Sequence, residues 1–171
     1  MKDVSDKNFG VIIAFLLPGF LLLWGLSYSV TDVATWLAKS SRNDAPSIGG
    51  FLYATLASLA LGLMISAVRW LIVDSVLGWV TSLPRIDFAK LKDKDAFATF
   101  QGIVENHYKY YQYYSNTLIA IVSAFGFYVC YGGQGAPWPM WIGAVVVAVV
   151  LFFASRDALK KYHERAAAIT T

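Results

Sequence analysis

Polar and aromatic side chains are densest between Glu105 and Asn116, a run that holds half of the chain's ten tyrosines. A carboxylate or an imidazole among aromatic rings is partly desolvated, which can shift its pKa and makes it a candidate functional group. Deeper in a membrane, an amide needs a hydrogen-bond partner on a neighbouring helix or in a water-filled vestibule. We therefore take as candidate functional residues in this run Glu105, His107, Gln112 and Asn116.

The tyrosines also have a simpler interpretation as an aromatic belt, since their rings favour the boundary between lipid and water. Glu105 and Lys109 stand four residues apart in the order that favours an ion pair on a helix. The functional interpretation makes a testable claim. Alanine at Glu105 or Asn116 should leave membrane insertion intact and reduce ion flux or partner binding, and His107 belongs to the same hypothesis.

Two charges, Arg69 and Asp74, stand in an apolar stretch earlier in the chain. One interpretation makes Arg69 an interfacial anchor, with Trp70 beside it in the aromatic belt. The other is a buried contact from Arg69 to Asp74 or Glu105, or a charge that lines an ion path. Both charges reach the same level as the tyrosine-rich run, so the sequence allows one polar cluster of Arg69, Asp74, Glu105, His107, Gln112 and Asn116.

Catalytic motifs are missing from the sequence. It has no Gly-x-Ser-x-Gly, no phosphate-binding loop and no dinucleotide fingerprint, and its two histidines lack the spacing of a metal-binding helix. The single cysteine, Cys130, excludes an intramolecular disulfide and a cysteine-based zinc cluster. We expect no catalytic residue, no cofactor and no metal.

One short segment resembles a known signature. Arg156 is followed, after six residues, by His163, and this spacing is similar to the Arg-x(4 to 6)-His signature of HEPN ribonucleases. The resemblance covers eight residues and implies a membrane-bound nuclease as one alternative. The other interpretation is a cationic helix end at an anionic membrane leaflet.

Composition and charge spacing set the architecture that must position these residues. The chain of 171 residues is 57% hydrophobic and 15% charged, well below the quarter of charged residues usual in soluble domains. Uncharged windows cover 8–31, 45–68 and 110–155, and a membrane crossing needs roughly 20 apolar residues. The last window contains a Gly- and Pro-rich break at 132–137. The sequence predicts an all-α integral membrane protein, a single domain over 1–171, with four spans at about 9–28, 48–70, 113–131 and 138–155.

Basic residues are distributed unevenly between the two sides of these spans. With both termini inside, the cytoplasmic side holds 12 Lys and Arg residues and the outside holds 2, Lys39 and Arg42. This bias predicts an N-in, C-in topology and makes nucleic-acid binding unnecessary as an explanation of the net charge of +3. We expect the cytoplasmic membrane of a bacterium as the location.

The predicted second span carries small residues at every fourth position, Gly50, Ala54, Ser58, Gly62 and Ser66. Such a stripe lets two helix backbones approach closely in lipid, so it predicts a helix-contact face. The partner is open from sequence: the first span, the fourth span or another copy of the chain. A homo-oligomer is one expectation that follows, and Gly62→Leu should weaken the interface that this face makes.

The segments 84–112 and 156–171 are predicted to lie in the cytoplasm. One helix is predicted from about Ala96 to Tyr131, longer than the membrane core, and the fourth span is predicted to continue past Ser155. These extensions should pair as a helical hairpin below the membrane.

Three functions remain open from the sequence. The first is a small oligomeric protein that forms a pore or perturbs the membrane. The second is a non-conducting membrane anchor that docks a soluble partner through its cytoplasmic hairpin, and the third is the HEPN-like nuclease.

Overall fold

The computed structural model describes residues 12–37, 48–89, 94–132 and 135–170, and its regular elements within those ranges are all helical. The all-α prediction is confirmed. The helices are α1 (Leu17–Leu26), α2 (Thr31–Trp36), α3 (Ile48–Val80), α4 (Lys94–Ile103), α5 (Lys109–Tyr131) and α6 (Trp138–Thr170). Two π-helical turns, Ile12–Leu16 and Val104–Tyr108, lead into α1 and α5 and are counted below as the first turns of those helices.

Three helices, α3, α5 and α6, are long and apolar enough to cross a membrane, which fits an integral membrane protein. The first predicted span is only partly matched, because the apolar helix at its place, Ala14–Leu26, is shorter than a crossing. Residues 9–11 of that predicted span lie outside the described residues.

The helix of the predicted second span is longer than expected. It continues past Trp70 to Val80, 33 residues in all or about 50 Å at 1.5 Å per residue. Gly78 does not interrupt it, since a single glycine costs a helix only about 1 kcal/mol, and Pro84 lies beyond its end.

Helix α1 lies between α3 and α5. It runs antiparallel to α3, since Phe15 lies against Gly62 and Gly19 against Ser58. It runs parallel to α5, since Ala14 lies against Asn116 and Gly25 against Ala124. Helix α6 packs antiparallel on the other side of α5, with Trp141 against Phe125 near one end and Tyr162 against Tyr108 near the other. Consecutive long helices therefore alternate in direction.

The small-residue stripe of α3 faces α1 of the same chain. Gly50, Ala54, Ser58 and Gly62 are buried, whereas Ser66 is partly exposed. A Cβ atom on Gly62 would stand 2.0 Å from the carbonyl oxygen of Phe15. The stripe thus has an intramolecular partner, which removes the reason that the stripe gave for expecting a homo-oligomer. The buried face continues down the helix through Ile65, Arg69, Val73 and Leu77.

A second packed layer lies at the end of the bundle where most charges are. We call it the basic end and define it by residues 69–89, 94–116 and 155–170. The predicted long helix is present there as a continuous helical run from Lys94 to Tyr131, and α6 continues past Ser155 to Thr170. The core of this layer contains Val73, Leu77, Tyr111, Ala158 and Leu159.

Candidate functional site

A buried guanidinium lies where α3 meets α5. Arg69 occupies the buried face of α3 and is 5% exposed. Its Nη1 atom lies 3.9 Å from Asp74 Oδ1, and its Cζ atom lies 5.0 Å from the ring centroid of Tyr111. The Tyr111 hydroxyl donates a hydrogen bond to the same Asp74 oxygen. Arg69, Asp74 and Tyr111 therefore form one group, which we call the Arg69 cluster.

Burial of this charge is only partly compensated. The Nε and Nη1 atoms of Arg69 have no hydrogen-bond partner among the described residues. The attraction of Asp74 and the electron-rich face of Tyr111 offset part of the desolvation cost, and Asp74 keeps contact with the surface because its side chain is 29% exposed. Of the alternatives that the sequence left open for Arg69, the structure shows the buried contact to Asp74.

Asn116 serves the backbone of α1. It is fully buried, and its Nδ2 atom donates to the carbonyl oxygen of Ala14 at 2.9 Å. Pro18 stands four residues after Ala14 and has no N–H to donate to that carbonyl. Asn116 therefore provides, from α5, the hydrogen-bond donor that Pro18 lacks. Few other donors for the Ala14 carbonyl would be present inside a membrane. The Oδ1 atom of Asn116 is buried without a partner.

Two further groups lie on the surface of the basic end. Glu105 and Lys109 approach within 3.9 Å and are both partly exposed. Arg165 Nη1 lies 2.6 Å from His107 Nε2, and because arginine only donates, that nitrogen is the acceptor of a neutral imidazole. The pKa of His107 is lowered by desolvation and, to a lesser degree, by the positive charges of Arg165 and Lys161.

The six predicted polar residues therefore do not form one cluster. Arg69 and Asp74 meet, Asn116 binds α1, His107 binds α6, and Glu105 pairs along its own helix. Gln112 is half-buried, and its backbone carbonyl accepts a long bond from Ser115 Oγ.

The two residues of the nuclease-like spacing both hold the segment that follows α3. Arg156 Nε donates to Thr81 Oγ1 at 3.3 Å, and His163 Nδ1 lies 3.1 Å from the carbonyl oxygen of Pro84. Seven residues apart, they lie on one face of α6, about 10 Å along its axis. This geometry gives both side chains a part in positioning the connection between α3 and α4.

Surface cavities adjoin α6 at the basic end. One of about 460 Å³ is an apolar groove and is lined by Leu83, Pro84, Arg85, Ile86, Phe88, Tyr162 and His163. A cavity of about 340 Å³ is lined by Phe153, Arg156, Asp157 and Lys160. Another, of about 230 Å³, is lined by His107, Tyr110, Tyr114, Ala154, Asp157, Ala158 and Lys161. Within the described ranges, no group of His, Cys, Asp and Glu could hold a metal ion.

Sequence reasoning did not single out Tyr111, Thr81 or Arg165 as polar partners. Tyr111 carries a usable signal, because a hydroxyl on the apolar face of a helix needs a partner when it is buried. Thr81 and Arg165 carry none, since their partners lie 75 and 58 residues away in the chain.

Comparisons with protein-family models, with curated proteins and with solved structures find no match to this chain.

Proposed function

We propose that the chain is a non-conducting membrane anchor that presents its basic end to a soluble protein. In this proposal α1, α3, α5 and α6 cross the membrane and both termini lie in the cytoplasm. Supporting observations are the alternating helix directions and the concentration of Lys and Arg at one end of the bundle. The described part of α1, about 22 Å from Ile12 to Leu26, needs further residues to cover a core of about 30 Å.

One observation carries the anchor proposal: the basic end has a hydrophobic core of its own. Val73 and Leu77 of α3 pack there with Tyr111 of α5 and Leu159 of α6. Within this layer the Arg69 cluster links α3 to α5, and the Arg156–Thr81 bond links α6 to the end of α3. A layer fixed in this way is a rigid platform, and rigid surfaces bind partners with a smaller loss of conformational entropy.

The interior of the bundle argues against conduction through a single chain. Where α1 meets α3, a Cβ atom on Gly19 would stand 1.7 Å from the Ser58 carbonyl oxygen. Where α1 meets α5, a Cβ atom on Gly25 would stand 2.5 Å from Ala124 Cα. Contacts this close leave no lumen between these three helices, so a pore would have to form between copies.

The apolar groove between α6 and the segment after α3 is the docking surface in this proposal. Its floor is apolar, and the exposed Arg85 lies at its rim. An apolar side chain next to a carboxylate would complement both features. We therefore assign as occupant an acidic segment of a soluble protein that inserts one apolar side chain.

Site-specific photo-crosslinking in the native membrane tests the docking surface. A photoreactive residue at Phe88, 63% exposed beside the groove, should give a protein adduct. The same residue at Val122, 56% exposed on α5, is the matched control and should give none. Arg85→Glu should abolish the Phe88 adduct, and an adduct that survives this change contradicts the charge complementarity.

Cysteine labelling tests the proposed topology. The native Cys130 is exposed at the end of α5 away from the basic end, so an impermeant thiol reagent should label it from outside intact cells. Lys160→Cys in a Cys130→Ser background should react only after the membrane is opened. The reverse pattern contradicts the N-in, C-in arrangement.

An oligomeric pore is the second candidate, and the exposure of α6 favours it. Only 6% of the most apolar stretch of α6 is buried, against 28% in α3 and in α5. A helix face of this kind is free to contact lipid or a second copy. Liposomes that contain this chain alone separate the two candidates, because the anchor predicts no ion or dye flux, and flux that depends on Arg69, Gln112 or Asn116 would replace the anchor with the pore.

A further inference from the structure

The cavity between Phe153 and Lys160 lies where the apolar part of α6 ends. Arg156 is the first charged residue after an uncharged stretch that begins at Tyr110. Phe153, one turn earlier on α6, is 57% exposed. The cavity of about 340 Å³ therefore has an apolar wall on the membrane side and cationic side chains on the other.

Among the described residues, no carboxylate lies within ion-pair distance of Arg156. Its Nε atom donates a hydrogen bond to the neutral hydroxyl of Thr81, which leaves the positive charge without a protein counter-ion in that part of the chain. Asp157 also lines the cavity, but it pairs with Lys161 at 2.6 Å. Thr81 is itself buried, 6% exposed, and its bond to Nε restrains the arginine side chain.

We infer that this cavity binds the phosphate group of an anionic phospholipid. A guanidinium can donate two parallel hydrogen bonds to phosphate oxygens. Lys160, one helical turn later, adds a second positive charge, and its ion pair with Glu164 at 3.6 Å is exposed to solvent. The acyl chains then lie along Phe153 and the exposed valines Val149 and Val150. Basic pockets beside membrane helices bind anionic head groups in this manner.

Two features separate this site from general attraction to an anionic surface. Arg156 is restrained by Thr81 rather than extended into solvent. It also adjoins a cavity large enough to take a phosphate. Arg165, an exposed cation further along α6, donates instead to His107 and does not line this cavity.

Lipid retention by the purified full chain tests this inference. The protein in mild detergent is mixed with equal amounts of phosphatidylglycerol and phosphatidylcholine, and bound lipid is counted by native mass spectrometry. We expect a preference for phosphatidylglycerol that falls about fivefold with Arg156→Gln and again with Lys160→Gln, the factor that one basic residue contributes near an anionic surface. Lys160 is exposed, so its variant keeps the fold even if Arg156→Gln does not.

Arg165→Gln is the matched control, since it removes the same charge from the same helix away from the cavity. It should leave the preference unchanged. If Arg165→Gln and Lys160→Gln lowered the preference for phosphatidylglycerol equally, general electrostatic attraction would explain it, and the proposed site would be wrong. Displacement of the lipid by millimolar inorganic phosphate would reassign the cavity to a free phosphate and overturn the lipid assignment.

Discussion

The contact of α1 with α3 and the contacts at the basic end are built from opposite kinds of side chain. Between α1 and α3, Gly19 lies directly against the backbone of Ser58 and Gly62. At the basic end, Leu77, Tyr111 and Leu159 fill the core and a charged cluster lies beside them. In lipid, apolar side chains gain little by leaving their solvent, so close approach supplies the contact energy. Near water, burial of large apolar side chains is itself favourable.

The difference predicts where the protein tolerates added volume. Gly62→Leu should cost at least ~3 kcal/mol of unfolding free energy, the upper part of the range for overpacking, because the new Cβ meets the Phe15 carbonyl and backbone cannot move aside as a side chain can. Thermal unfolding in detergent measures this. Gly78→Leu is the control on the same helix, since nothing lies within 4 Å of its Cβ position. Equal stability of the two variants would disprove the α1 contact.

The charged cluster should be the next most sensitive feature. Asp74→Ala leaves the buried Arg69 without its carboxylate and should cost about 2 kcal/mol, less than the ~3–5 kcal/mol of a fully buried pair because Asp74 is partly exposed. Adding Arg69→Met should restore part of the loss, since the unpaired charge is then gone. Chemical unfolding of the single and double variants measures this coupling, and additive losses would show that the two side chains do not interact.

The bond from Asn116 to α1 should matter less, and its effect should depend on Pro18. Asn116→Ala leaves the Ala14 carbonyl without its donor and should cost about 1 kcal/mol. In a Pro18→Ala background the restored N–H can serve that carbonyl, so the cost of Asn116→Ala should shrink. Thr117→Val, a buried neighbour whose hydroxyl has no partner, is the control and should be neutral. An equal cost of Asn116→Ala in both backgrounds would contradict the pairing.

The smallest expected effect is a pH dependence at His107. Its pKa is lower in the folded chain than in the unfolded chain, so the unfolded state takes up a proton first as pH falls below about 6.5. Stability should therefore be full above that value and decline below it. The melting temperature of the wild type should drop more between pH 7.5 and pH 5.5 than that of His107→Gln. Identical drops would exclude this contribution.

The apolar helices could be predicted from sequence because uncharged length alone defines them. Helices α3, α5 and α6 each contain a long stretch without Asp, Glu, Lys or Arg, and such stretches can be identified directly from the sequence. The first span could not be fixed in the same way. Pro18 and the π-helical turn before it shorten the regular helix, and that local geometry is not encoded in hydropathy.

Polar contacts within one helix could be predicted from the sequence, whereas those between helices could not. Arg69 and Asp74 stand five residues apart, so their contact was among the alternatives that the sequence offered. The bond from Asn116 to Ala14 joins residues 102 positions apart, and it depends on which helix packs beside α5. Spacing along a chain constrains faces of one helix but says nothing about the neighbour that a face will meet.

The peripheral place of α6 has a consequence for how the protein is made. A helix with 6% of its most apolar stretch buried gains little from its neighbours, so we expect it to partition from the translocon into lipid on its own hydrophobicity. Helix α5 carries the buried polar residues Ser115, Asn116 and Thr117. Without neighbouring helices these polar groups would face hydrocarbon, which costs free energy. We expect α5 to remain at the translocon until α1 and α3 are beside it, which makes the α1–α3 hairpin the first committed intermediate of biogenesis.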